Sequence, residues 1–89
     1  MEEFKLKPTE DFKRSLKSLT ANEQKQVAKK LKLLKQNPFH PSLRTKKIRG
    51  LDGTFEMSVN MDIRVVWKYS GAIILILIDV GHHKDILGV

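Results

Sequence analysis

Asp62-Ile63-Arg64-Val65-Val66-Trp67-Lys68-Tyr69, then Ser70-Gly71, then Ala72-Ile73-Ile74-Leu75-Ile76-Leu77-Ile78-Asp79-Val80 is the stretch on which the fold turns. Ile63, Val65 and Trp67 alternate with Arg64, Val66 and Lys68, the period of two expected of a β-strand. Ser70-Gly71 supplies a turn. The run from Ala72 is apolar at both parities, as a central strand covered on both faces would be. The two segments predict an antiparallel hairpin. In such a pair the end of the second strand lies beside the start of the first. Arg64 is thereby expected near Gly81-His82-His83.

The same period appears upstream. Phe55, Met57 and Val59 alternate with Thr54, Glu56 and Ser58, and Asn60-Met61-Asp62 turns the chain. Lys46-Lys47-Ile48-Arg49 leads to Gly50, and Asp52-Gly53 is a tight-turn pair. Further upstream the period lengthens to that of a helix. Thr20-Ala21-Asn22-Glu23 has the spacing of a capping box, and Val27, Leu31 and Leu34 then share one face. Asn37-Pro38 ends that helix. An earlier helix starts near Pro8-Thr9-Glu10-Asp11 and runs through Phe12 and Leu16 to Leu19. Phe4-Lys5-Leu6 reads as a short edge strand. The order predicts an α+β sandwich: an N-terminal strand and a two-helix hairpin packed on a three- to four-stranded antiparallel sheet. The sheet's other face is expected to be concave and partly open, with Arg64, Val66 and Lys68 on it.

A chain of 89 residues makes one domain, residues 1–89. It has no cysteine, so neither disulfides nor thiolate metal sites are available, which fits a reducing cytosol. Met1-Glu2-Glu3 is no signal-peptide start, and the apolar run from Ala72 to Ile78 is far short of the roughly 20 residues that span a membrane. The expectation is a soluble cytoplasmic protein. Charge is unevenly placed: residues 1–49 hold 14 Lys/Arg against 5 Asp/Glu, whereas residues 50–89 hold 3 against 5. A basic half joined to a weakly acidic one points to a polyanionic partner, nucleic acid or acidic protein. Each single lysine also reads as part of a solvated helix face.

Arg64 has two readings. It is a structural ion-pair partner of Glu56 or Asp79 across the sheet, or a guanidinium that grips phosphate with two prongs. His82 and His83 read as an ordinary surface turn, or one of them reads as a proton donor or acceptor beside Arg64. Only one can face the site, because strand side chains alternate. His40, between Phe39 and Pro41, reads as a loop histidine with a structural bond or as a second proton-transfer group. Lys46, Lys47 and Arg49 read as a protected sheet edge or as phosphate contacts. Trp67 and Tyr69 read as core and sheet-end residues, and Phe39 as the aromatic placed for base stacking. The histidines are adjacent or distant, so no metal is expected, and no glycine loop for a nucleotide cofactor occurs.

Three motifs in order carry a likeness. They are His40-Pro41-Ser42-Leu43-Arg44-Thr45-Lys46-Lys47-Ile48-Arg49-Gly50, then Arg64-Val65-Val66-Trp67, then Asp79-Val80-Gly81-His82-His83-Lys84-Asp85-Ile86-Leu87. Together they resemble the RelE/ParE superfamily of bacterial toxin–antitoxin toxins, and within it the YafQ-like mRNA interferases. The resemblance covers nearly the whole chain. It implies a cognate antitoxin, acidic at its contact segment, and operator DNA reached only through the antitoxin complex. It also implies metal-independent cleavage of mRNA on the translating ribosome, by attack of a ribose 2′-hydroxyl on the adjacent phosphate. Carried over residue by residue, Arg64 would stabilise the phosphorane and His83, rather than His82, would be the general acid. Lys46, Lys47 and Arg49, with Lys68 and Lys84, would position RNA, and His40 is the candidate general base. Leu87 departs from the pattern, which has an aromatic residue there. Two other roles fit the same likeness: a ParE-like inhibitor of DNA gyrase, and a catalytically weak module acting in a repressor complex.

Overall fold

Thr9 starts the first helix, and its hydroxyl does two things. It accepts the Phe12 amide at 3.1 Å, satisfying a backbone donor that the first turn leaves free, and it donates to the Leu77 and Ile78 carbonyls at 2.9 Å each. The computed structural model describes residues 3–83, so Lys84 and Leu87 lie outside the described residues. Strand β1 (Lys5–Pro8) leads into helix α1 (Glu10–Lys17). Residues 18–20 connect it to helix α2 (Ala21–Gln36). α1 therefore ends two residues before the expected Leu19, where the Ser18 and Leu19 amides bond back to Ser15 and Leu16. At the start of α2 the expected capping box is complete: Glu23 N–H to Thr20 Oγ1 at 3.1 Å and Thr20 N–H to Glu23 Oε1 at 2.9 Å.

A single 3-10 turn, η1 (Pro41–Leu43), follows, then strands β2 (Lys46–Lys47), β3 (Thr54–Ser58), β4 (Ile63–Ser70) and β5 (Ile74–His82). The sheet has five strands in the order β1-β5-β4-β3-β2. The α+β expectation holds, with more strands than the three or four anticipated. β1 joins β5 in parallel, and two-residue β2 extends the antiparallel meander at the opposite edge. β5 thus has a strand on each side, but only its helix-side residues Leu75, Leu77 and Val80 are buried; Ile74, Ile76 and Ile78 on the far face are half-buried, so the cover expected on both faces is found on one.

The helices cover one face. Phe12, Leu19, Val27 and Leu34 pack there on Met57, Val65, Trp67, Leu75 and Leu77. Trp67 is fully buried, stacks on Phe55 at 4.8 Å between ring centroids, and meets Tyr69 edge-on at 5.2 Å. Burial pushes the Tyr69 phenol pKa above its usual 10.0. The other face is less open than expected. Val66 is fully buried with Ile48 and Ile78 against it, and Thr54 and Glu56 are buried too. These side chains are cross-strand neighbours that cover one another, Lys46 and Val66 flanking Glu56, so period-two alternation does not here separate buried from exposed.

One irregularity positions the site. In the β4–β5 ladder Val66 opposes Asp79 while Trp67 opposes Leu77, so Ile78 is an extra residue, a β-bulge. Thr9 holds it through the two carbonyl bonds above, and Ser15 Oγ donates to Asp79 Oδ1 at 2.6 Å. Beyond the bulge the parity of β5 is reversed: Leu75, Leu77 and Val80 all belong to the helix-side core.

Candidate functional site

Arg64 sits one residue into β4, opposite Ser58 on one side and Gly81 on the other. Gly81 has no side chain, so nothing crowds the guanidinium from β5. Neither carboxylate proposed as its structural partner takes that role. Glu56 Oε1 pairs with Lys46 Nζ at 3.2 Å, and Asp79 Oδ1 accepts from Ser15 and from the Val80 amide. Arg64 instead folds back on the β3–β4 turn. Its Nη1 donates to the Asn60 carbonyl at 2.7 Å and to those of Met61 and Ile63 at 3.2 Å each. Among the described residues nothing engages Nη2 and Nε, which can meet a ligand. Asn60 braces the same turn, its Oδ1 accepting the Asp62 and Ile63 amides at 2.8 Å and its Nδ2 donating to Gln26 Oε1 on α2 at 2.5 Å.

The two histidines part company. His82 lies inside β5 rather than past it, opposite Ile63 on the helix side. There its Nε2 is 3.5 Å from Oε2 of Glu23, the capping-box glutamate. His83 is exposed, and its amide donates to the Asp62 carbonyl, which ties it to the turn that Arg64 braces. His82, His83, Met61 and Asp62 line a depression of about 230 Å³. Arg64 lines a second hollow, of about 320 Å³, with Ser58, Asn60, Met61 and residues of α2 and η1. Met61, 90 % exposed, borders both and is the ridge between them. Uninterrupted alternation from Leu75 would have put His83 on the helix side. The bulge is what sequence reasoning missed, and the one signal for it was Asp79, a carboxylate inside an apolar run.

His40 has a holding role in this geometry. It caps η1, its Nδ1 accepting the Ser42 amide at 3.1 Å, with Ser42 Oγ also 3.0 Å away. The neutral ring therefore keeps its proton on Nε2 and offers a donor there, not a free lone pair for a general base. Arg44 follows η1 in the left-handed region (φ 50°, ψ 41°), a conformation that costs a non-glycine residue on the order of 1 kcal/mol. The bonds around it hold it there: Arg44 N–H to the Pro41 carbonyl, and Thr45 Oγ1 to the Pro38 carbonyl at 2.6 Å.

The other basic candidates are spread out. Lys46 is neutralised by Glu56, whose second oxygen has no partner. Lys47 points the other way along the edge strand, Arg49 is exposed beyond β2, and Lys68 is exposed on Arg64's face opposite Thr54. Phe39 is half exposed but packs edge-on against Phe55 and Trp67, at 5.4 and 6.2 Å. Among the described residues no three His, Asp or Glu side chains gather into a metal-binding cluster, and no helix is long and apolar enough to cross a membrane.

No protein-family model and no curated protein matches the sequence. Solved structures do. The toxin–antitoxin complex RelBE2 from Mycobacterium tuberculosis contains a chain that superposes with a TM-score of 0.77, at 20 % identity, over 96 % of this chain and 97 % of that one. The archaeal RelE–RelB complex from Pyrococcus horikoshii matches with a TM-score of 0.76, at 13 % identity, over 92 % and 97 %. The E. coli DinJ–YafQ complex matches with a TM-score of 0.69, at 15 % identity, over 96 % and 99 %. The chain has the fold of the RelE/ParE-like toxins, along almost its full length.

Proposed function

We propose that residues 1–89 form the toxin of a type II toxin–antitoxin pair and cleave mRNA on translating ribosomes in the cytoplasm. The observation that carries this reading is that Arg64 and His83 are both tied to the Asn60–Asp62 turn, one through its guanidinium and the other through its amide, in a chain with a RelE-type fold. In the reaction the ribose 2′-oxygen bonds to phosphorus in line with the leaving 5′-oxygen. The P–O5′ bond breaks, leaving a 2′,3′-cyclic phosphate on one fragment and a 5′-hydroxyl on the other. Arg64, through Nη2 and Nε, stabilises the charge that builds on the non-bridging oxygens. His83 in its protonated form gives a proton to the leaving oxygen, a contribution of about 10²–10⁴-fold. The proton of the attacking hydroxyl goes to solvent, because the Nδ1 of His40 is already occupied. Lys47, Arg49, Lys68 and Lys84 hold the RNA backbone, with Lys46 contributing less because Glu56 offsets it.

The partner is an acidic antitoxin, in keeping with neighbours whose structures are toxin–antitoxin complexes, and operator DNA is met only through it. Mapping mRNA 5′ ends in a translating extract tests the reading. Wild-type protein is expected to create new ends with 5′-hydroxyls, and His83→Ala or Arg64→Ala to abolish them. Growth arrest with DNA damage and intact translation would instead mark a gyrase inhibitor. Leu87→Tyr is expected to raise cleavage if the missing aromatic limits the rate.

A further inference from the structure

The hollow beside Arg64 holds more positive charge than a single cleaved phosphate needs. It lies where α2, η1 and the β3–β4 turn meet, and Lys30, Arg44 and Arg64 line it together with Ser42, Ser58 and Asn60. Among the described residues none of the three cations forms an ion pair, although carboxylates elsewhere on the surface pair with Lys13, Arg14, Lys35 and Lys46. Among the described residues no carboxylate lines the hollow. Like charges brought together without a counterion repel one another, and a bound anion relieves this. Arg44 is also held in a backbone conformation that an arginine adopts only when its surroundings impose it. The His40 cap, buried Leu43 and the Thr45 bond impose it here.

We infer that this hollow is a second phosphate subsite. In it Arg44 and Lys30, with the Ser42 and Ser58 hydroxyls, hold the phosphate next to the one cleaved in a single-stranded RNA. The inference rests on the proposed function for the identity of the cleaved phosphate, but not for the binding itself. Guanidinium, ammonium and hydroxyl donors suit a tetrahedral oxyanion. Arg64 belongs to both subsites, so one strand passing over Met61 reaches both. An acidic protein segment fits less well. A docking helix or strand needs apolar pockets for its side chains. The apolar lining here is buried Val59 and the single exposed Met61.

Fluorescence anisotropy with a labelled, fully 2′-O-methylated oligoribonucleotide tests this, because the probe binds but cannot be cleaved. Arg44→Ala with Lys30→Ala is expected to weaken binding at least about ten-fold at low salt. The slope of log affinity against log salt should become shallower by roughly 1.4, about 0.7 for each lost cation on single strands. Lys7→Ala, on exposed β1, should change neither. Arg44→Gly guards against misfolding. Glycine accepts a φ of 50° readily, so this variant should keep its thermal midpoint and still lose affinity. Equal affinity of wild type and double variant, or an equal loss with Lys7→Ala, overturns the subsite while leaving mRNA cleavage standing. Loss of binding to a poly-glutamate peptide with RNA binding intact also overturns it, in favour of a protein ligand. A wild-type chain that binds no RNA at all overturns the subsite, and the cleavage reading, which requires the ribosome, is then judged by the mapping of mRNA ends.

Discussion

The two faces of this sheet are built from alternate residues of the same strands, yet they are held together differently. The helix-side face is dry and apolar: Trp67, Met57, Val65 and Leu75 are fully buried, and the helices close over them. The far face mixes a three-residue apolar patch, Ile48, Val66 and Ile78, with a buried glutamate, a lysine bound to it and a guanidinium turned towards a loop. Damage to the first face should appear as lost stability. Damage to the second should appear as lost chemistry in a protein that still folds.

Several substitutions would break or sharpen that division. Trp67→Ala should cost about 3–5 kcal/mol, by removing the largest buried side chain, and urea unfolding would read it; a small loss would mean the helix side is not the stabilising face. His83→Ala should lower the cleavage rate about 10²–10⁴-fold, with the unfolding midpoint moving by less than about 0.5 kcal/mol equivalent because the side chain is exposed. Thr9→Val crosses the division. It removes a helix cap, at about 1 kcal/mol, and also releases the bulge carbonyls, so activity should fall with stability while Thr9→Ser retains both. Glu56→Gln should free Lys46 from its counterion and strengthen RNA binding modestly, steepening the salt slope by about 0.7. The smallest effect belongs to Tyr69, the chain's one tyrosine. Its phenolate absorbance should appear with a midpoint above 10.0. Because the folded state keeps this proton longer than the unfolded chain does, stability should decline as pH rises past 10.0 and level off above the folded midpoint.

Element order and type were legible because each rests on local chemistry. The Thr20–Glu23 box, the Asn37-Pro38 stop and the alternation through Ile63, Val65 and Trp67 are all visible within a few residues. The pairing of β1 with β5 was not legible, because a parallel contact between Lys5 and Ile74 leaves no mark in either segment alone. Burial of Glu56 was hidden for a similar reason: it depends on Lys46 and Val66, which flank it only once the three strands have paired. In the candidate site, Arg64 and the histidine pair were singled out from spacing. Which histidine faces away from the helices depends on one inserted residue, Ile78, held by a threonine 69 positions earlier. Arg44 and Lys30 were passed over because one sits in a loop motif and the other in a lysine-rich helix, and only the folded chain brings them beside Arg64.

The position of Trp67 has a practical consequence. It is the chain's one tryptophan, so the protein's intrinsic fluorescence comes from a single ring sealed from water. Phe39, which covers that ring edge-on, is half exposed and next in sequence to His40, at the head of the loop that presents Arg44. A ligand that shifts this loop would alter the surroundings of the indole and hence the colour and intensity of its emission. The molecule therefore carries an unlabelled optical gauge of occupancy at the hollow, readable in His83→Ala and Arg64→Ala as well as in the wild type.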